Sequence, residues 1–126
     1  MLNITNKDIL YDLGCGDGRV VIQAYHTYKC IGMGVEYDYE LCKKANLKIK
    51  DIEHCSDYVS ILHDSVENIC FDEATVLFIY LVPEGIKAIR DKLIAALNRG
   101  VRIVTYVFSI PGVTPKEVSV CIVYSY

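Results

Sequence analysis

The residues best placed to do chemistry stand close together near the start of the chain, in Ile9-Leu10-Tyr11-Asp12-Leu13-Gly14-Cys15-Gly16-Asp17-Gly18-Arg19. An acid opens the run and glycines take three alternate positions, a D-x-G-x-G-x-G spacing. The apolar residues before Asp12 read as a buried strand, and Gly18 onward as the start of a helix. Gly14 lets the chain turn off the strand, Gly16 leaves a ligand room against the backbone, and Gly18 lets the helix sit close to the sheet. The first N–H groups of a helix have no partner inside it, so here they point into the turn. Such a turn suits a nucleotide-like molecule. The dinucleotide fingerprint G-x-G-x-x-G/A is not met: the sixth position is Arg19 counted from Gly14, and Val21 counted from Gly16. A plain βα turn of another doubly wound protein fits the glycines as well.

The elements that must position this turn follow from periodicity. The first strand is Ile9 to Leu13. A helix from Gly18 to Lys29 carries Asp17 at the N-cap, and Val20, Val21, Ala24, Tyr25 and Tyr28 as its sheet-facing stripe. Cys30 to Glu36 is the second strand, thinned on one side by Gly32 and Gly34. A helix from Tyr39 to Glu53 buries Leu41, Ala45, Ile49 and Ile52 and leaves Lys43, Lys44, Lys48 and Lys50 on a solvated face. Tyr58 to Leu62 is a third strand. Ala74 to Leu81 is apolar throughout, as a central parallel strand covered on both faces should be. Pro83 ends it and leads into a helix over Ile86 to Asn98, buried through Ile86, Ile89, Leu93 and Leu97, with Gly100 in the left-handed position after it. Val101 to Phe108 is the fifth strand, Ile110 to Thr114-Pro115 a turn, and Val118 to Tyr124 a last strand. The alternation predicts an α/β, doubly wound, mostly parallel sheet with right-handed crossovers and a ligand at the carboxyl ends beside the first strand.

Composition narrows the class. The 126 residues suffice for one domain but not two, so residues 1–126 are read as a single domain. The net charge of −3 and the scattered Lys and Arg argue against a nucleic-acid surface. No apolar run reaches the ~20 residues that span a bilayer, and Met1 to Asp8 has no signal-peptide pattern. Of the six cysteines, none forms C-x-x-C and no histidine stands at ligand spacing from one, so no metal is expected. Free buried thiols in a reducing compartment are expected instead.

The D-x-G-x-G-x-G run resembles the first motif of the seven-strand S-adenosylmethionine-dependent methyltransferases. The resemblance implies that Asp12, Gly14, Cys15, Gly16, Asp17 and Gly18 hold the cofactor S-adenosyl-L-methionine, with Asp12 orienting the turn and contacting the aminoacyl end. It also implies an acid ending the second strand to bind the ribose hydroxyls, where Glu36 stands, and an acid after the third strand beside the adenine amino group, where Asp64 stands. A full domain of this kind carries a helix before the first strand and a hairpin at the end. Here eight residues precede the first strand and one strand follows the Pro-Gly turn. A version shortened at the N-terminus and in the C-terminal hairpin is therefore expected.

The chain from the glycine motif through Tyr80-Leu81-Val82-Pro83-Glu84 to Pro111-Gly112-Val113-Thr114-Pro115 is similar to a narrower group. These are the mitochondrial lysine methyltransferases of the ATP synthase c-subunit, with their bacterial and plant relatives. That resemblance implies protein-lysine N-methylation, with a protein substrate presenting a lysine side chain, and Tyr80 and Glu84 as the residues that position or deprotonate the amine. Core packing for Tyr80 and a helix-start role for Glu84 are the structural alternatives. The Asn/Asp-Pro-Pro-Tyr run of many amine- and base-directed enzymes is absent. Methylation of a small molecule, and a non-catalytic module that binds cofactor or a partner, remain as other readings. The cytoplasm is the default location, with the mitochondrion implied by the resemblance.

Overall fold

Five of the apolar runs become the parallel part of one sheet. In the computed structural model, which describes residues 2–119 and 123–126, they are β1 (Ile9–Leu13), β2 (Ile31–Glu36), β3 (Val59–His63), β4 (Val76–Ile79) and β5 (Arg102–Tyr106). The helices are α1 (Arg19–Tyr28), α2 (Tyr39–Asp51), α3 (Pro83–Ala88) and α4 (Arg90–Asn98). Two short strands, β6 (Glu117–Val118) and β7 (Val123–Ser125), follow. The strand order is β3-β2-β1-β4-β5-β7-β6. β1 to β5 run parallel, and β7 runs antiparallel to both β5 and β6. The connections from β1 lead outward through β2 and β3 on one side, then return to β4 on the other. That reversal opens a crevice at the carboxyl ends of β1 and β4.

Alternation along the strands splits the core into two layers. Leu13, Leu77, Ile79 and Ile103 face α3 and α4, packing on Ile86, Ile89, Leu93 and Ala96. Leu10, Val76 and Val59 face α1 and α2, packing on Val21, Ile22, Ala24, Tyr25 and Ile49. Gly32 lies under α1, where an added Cβ would stand 3.2 Å from the Val21 Cβ. At the opposite end of the sheet from the crevice, Arg102 pairs with the buried Asp8, which also accepts from the Thr75 hydroxyl at 2.7 Å. These bonds tie β5 and the entry to β4 to the start of β1.

Four sequence expectations are corrected. Asp17 is not the N-cap of α1: Gly18 holds that position at φ 84°, and Asp17, one residue earlier, accepts from the Arg19 N–H at 3.4 Å and pairs with Arg19 and Lys48. Tyr28 is exposed and Ile22 takes its place in the buried stripe. The helix expected over Ile86 to Asn98 begins earlier, at Pro83, and is interrupted at Ile89 (φ −109°, ψ 10°), where the ladder tightens to a bond from Ile89 N–H to Ile86 O. The break keeps Ile86, Ile89 and Leu93 all within the core. The single last strand is instead an abbreviated hairpin, β6 and β7, whose residues 120–122 lie outside the described ones. The shortened hairpin still completes the seven-strand order.

Candidate functional site

The carboxyl ends of β1, β4 and β5 surround a cavity of about 540 Å³. Its walls are Asp12, Gly14, Cys15, Gly16, Asp17, Arg19, Val20, Leu41, Phe78, Tyr80 and Tyr106. The register explains why these meet. Asp12 pairs with Phe78, and Phe78 with Val104, so all three point to the face that α1 covers. Tyr106, two residues further along β5, and Tyr80, just past the end of β4, line the same cavity.

The turn from β1 to α1 has all three glycines at positive φ, 83°, 58° and 84°. Gly14 is the most constrained. An added Cβ there would lie 2.7 Å from the Tyr80 carbonyl oxygen and 2.8 Å from Leu81 Cδ2. The glycine turn is thus pressed against the segment that leaves β4, and Tyr80 N–H donates to Leu13 O at 3.3 Å. Gly16 has open space where its side chain would be, as a ligand-facing position requires. Gly18 differs from expectation: its close neighbour is Ala45 of α2, at 3.0 Å from an added Cβ, rather than the sheet.

Glu36 braces this turn from β2. Its Oε1 accepts from Gly16 N–H and its Oε2 from Asp38 N–H, each at 2.8 Å. A carboxylate has about four lone-pair directions, so further donors can still be met. Asp38, not Glu36, caps α2, accepting from Glu40 N–H and Leu41 N–H. Asp64 follows β3, and its N–H donates to Glu36 O at 3.1 Å. Its Oδ1 accepts from Asn68 Nδ2 and Ser65 N–H, and these bonds hold the carboxyl below the usual carboxylate range.

Asp12 is the electrostatic centre. It is 2% exposed, and its Oδ1 has no hydrogen-bond partner among the described residues. Burial first, and the charge of Glu36 second, push its carboxyl up to about 7. Asp17 goes the other way: hydrogen bonds from Arg19 and Lys48 hold it well below the usual range. The Lys48 bond, 2.7 Å, pins the glycine turn to α2. Burial, reinforced by Asp12 and Glu36, raises the Cys15 thiol far above its ordinary value, so Cys15 is a wall and not a nucleophile. Cys30, Cys42 and Cys55 are also buried free thiols, and Cys70 is exposed. No cluster of metal ligands is found among the described residues.

Of the sequence-predicted residues, Asp12, Gly14, Cys15, Gly16, Asp17 and Tyr80 line the cavity; Gly18, Glu36 and Asp64 do not, though Glu36 is bonded to its wall at Gly16. Glu84 is exposed on the first turn of α3 and does not line the cavity. Sequence reasoning missed Phe78, Leu41 and above all Tyr106. The last residue of an apolar strand next to β4 was the signal available, since ligands in these sheets sit at strand carboxyl ends. Tyr106 is followed by Val107 at φ 74°, a left-handed conformation that costs a residue with a Cβ ~1–2 kcal/mol.

A doubly wound sheet of this order, with a glycine turn, an acid at the end of β2 and a cavity at the switch point, defines a seven-strand methyltransferase. Residues 12–117 match the ANTKMT methyltransferase domain, and the chain belongs to that family. It is 34% identical over 116 residues to a protein-lysine N-methyltransferase of Saccharolobus islandicus (strain REY15A), covering 91% of this chain and 71% of the relative. Among solved structures it is similar to an RNA methyltransferase from Salinibacter ruber in complex with S-adenosyl-L-homocysteine. There the TM-score is 0.84 at 30% identity, over 99% of this chain and 83% of that one. The fold is also that of a SAM-dependent methyltransferase from Geobacter sulfurreducens, with a TM-score of 0.69 at 20% identity, over 89% of this chain and 47% of that one. The chain is an S-adenosylmethionine-dependent methyltransferase. The site fits this cationic cofactor: an open glycine backbone faces the cavity, and a buried carboxyl oxygen in its wall has no partner among the described residues. Among the described residues, no helix is long and apolar enough to cross a membrane.

Proposed function

We propose that the chain, as a single domain over residues 1–126, methylates the lysine side chain of a protein. The observation that carries this reading is the 34%-identical relative named a protein-lysine N-methyltransferase, which spans 91% of the chain. The cavity wall is compatible with it, since its Arg19 is paired with Asp17 and does not oppose an incoming cation. Asp12, Gly14, Cys15, Gly16, Asp17 and Gly18 hold the aminoacyl side of the cofactor, Glu36 the ribose hydroxyls and Asp64 the adenine amino group. When bound, S-adenosylmethionine supplies a methyl group already activated on a sulfonium. The chain's own work is alignment and exclusion of water. Glu36 keeps the Gly16 backbone in place, and Leu41, Val20 and Phe78 give the cavity its apolar wall. Tyr80 orients the incoming amine from the end of β4. Glu84, exposed on the first turn of α3 outside the cavity wall, is the second residue proposed to position or deprotonate the amine.

An RNA target is the competing reading, favoured by the likeness to the Salinibacter ruber RNA methyltransferase. The net charge of −3 opposes it, because phosphate contacts supply most non-specific nucleic-acid affinity. Titration with S-adenosylhomocysteine, with NAD as control, tests the cofactor site; saturable binding of the first alone is expected. Transfer of labelled methyl groups into protein and RNA fractions then tests the substrate. Label recovered as methyllysine supports the reading, and label confined to RNA overturns it.

A further inference from the structure

Two aromatic rings of the cavity wall meet at nearly a right angle. Tyr80 and Tyr106 stand edge to face, with centroids 5.2 Å apart and planes at 84°. Both line the cavity together with Asp12 and Phe78, yet they are 54% and 37% exposed. Two rings at right angles leave an open corner, with ring faces on two sides. A flat base fills a slot between parallel rings better than a corner. A compact, rounded cation touches two walls of a corner at once, and a ring face attracts a cation within ~6 Å of its centroid. Among the described residues, the chain's own cation–π contacts are Lys29 on Tyr25 and Lys43 on Tyr39, so neither wall of the corner is taken. The cavity's Arg19 is engaged by Asp17, so its charge does not oppose a cation in the corner.

We propose that the Tyr80–Tyr106 corner binds the alkylammonium form of the substrate side chain, with Tyr106 as a substrate-binding residue that favours methylated lysine over lysine. The inference rests on the lysine reading above. Each added methyl group weakens the hydration of the ammonium without removing its charge. A methylated ammonium therefore loses less on leaving water for the two rings, and affinity rises with methyl count.

The test is a titration of the S-adenosylhomocysteine-saturated chain with Nα-acetyl-trimethyllysine amide. A second arm uses its uncharged isostere, with carbon in place of the ammonium nitrogen, and a third uses cytidine monophosphate as a flat base. The wild type and Tyr106→Phe are expected to prefer the cation to the isostere by roughly 5- to 30-fold, the range of a desolvated cation–π contact. Tyr106→Leu is expected to lose that preference and keep the far-UV circular dichroism and cooperative thermal unfolding of the wild type, which report an intact fold. Equal binding of cation and isostere by the wild type, no binding of the cation, an unaffected Tyr106→Leu, or preference for cytidine monophosphate would each overturn the inference. Methyllysine in the labelled extract alongside such a result would leave the lysine reading standing. Label confined to RNA removes both.

Discussion

Replacing Asp12 by Asn removes a titratable carboxyl from the most deeply buried part of the site without changing its shape. Asp12 is 2% exposed, its Oδ1 is unpartnered among the described residues, and burial plus Glu36 push the carboxyl from 3.8 to about 7. That displacement corresponds to an upper bound of about 4 kcal/mol. The sign follows from proton counts. Between pH 3.8 and about 7 the folded chain keeps the Asp12 proton and the unfolded chain has lost it. Stability from this group therefore falls as pH rises, and the full penalty is present above pH 7. Asn does not titrate, but its amide adds a buried polar group without a partner, at about 1–2 kcal/mol. The variant should thus be about 2 kcal/mol more stable than the parent at pH 8, and about 1–2 kcal/mol less stable near pH 4. For a domain of this size, 2 kcal/mol moves the midpoint by roughly 8 °C. Thermal melts of both proteins at pH 4, 6 and 8 read this directly. A difference in midpoint that does not change sign or size with pH would refute the claim that Asp12 is a strained, largely neutral carboxyl in the free protein.

Glu36→Gln should weaken S-adenosylhomocysteine binding at least tenfold, measured calorimetrically, because an amide cannot accept from Gly16, Asp38 and a ribose at once. Unchanged affinity would remove Glu36 from the ribose site. Tyr80→Phe should leave cofactor affinity within about twofold and lower kcat by roughly tenfold or more if its hydroxyl orients the amine; an unaltered kcat restricts Tyr80 to its ring. Glu84→Gln separates its two assignments, since loss of a proton acceptor costs about 100-fold in turnover at neutral pH and loss of a helix-start charge costs stability of only ~0.3–1 kcal/mol. Gly14→Ala combines a positive φ with a 2.7 Å approach to the Tyr80 carbonyl, and is expected to cost at least ~2 kcal/mol by chemical denaturation.

Local pattern and distant register contributed differently. The glycine spacing, the acid at the end of β2, the continuous apolar run of β4 and the helical stripes of α1 and α2 are short-range features. A strand, a turn and a helix each express their period within about ten residues, so the doubly wound class and the position of the cavity were readable in the chain. The break at Ile89 and the hairpin of β6 and β7 were not. Both depend on partners far along the chain: Ile86, Ile89 and Leu93 must share one core layer, and β7 is defined by its antiparallel pairing with β5. The partners of Asp17 also include a distant group, because Lys48 of α2 pairs with it across 31 positions of sequence.

Residue types and their spacing along single segments were enough to place a nucleotide-type turn between β1 and α1, with Glu36 and Asp64 on the neighbouring strand ends. They could not say that Asp12 is a carboxyl in a cavity wall with no partner among the described residues, that Gly14 presses on the Tyr80 carbonyl, or that Tyr106 stands edge to face with Tyr80. Those facts arise where residues 26 positions apart in sequence, Tyr80 and Tyr106, finish side by side. The register between β4 and β5 is set by burial of Leu77, Ile79 and Ile103 on the opposite face of the sheet. The packing of that apolar layer, and no local signal, places the second ring.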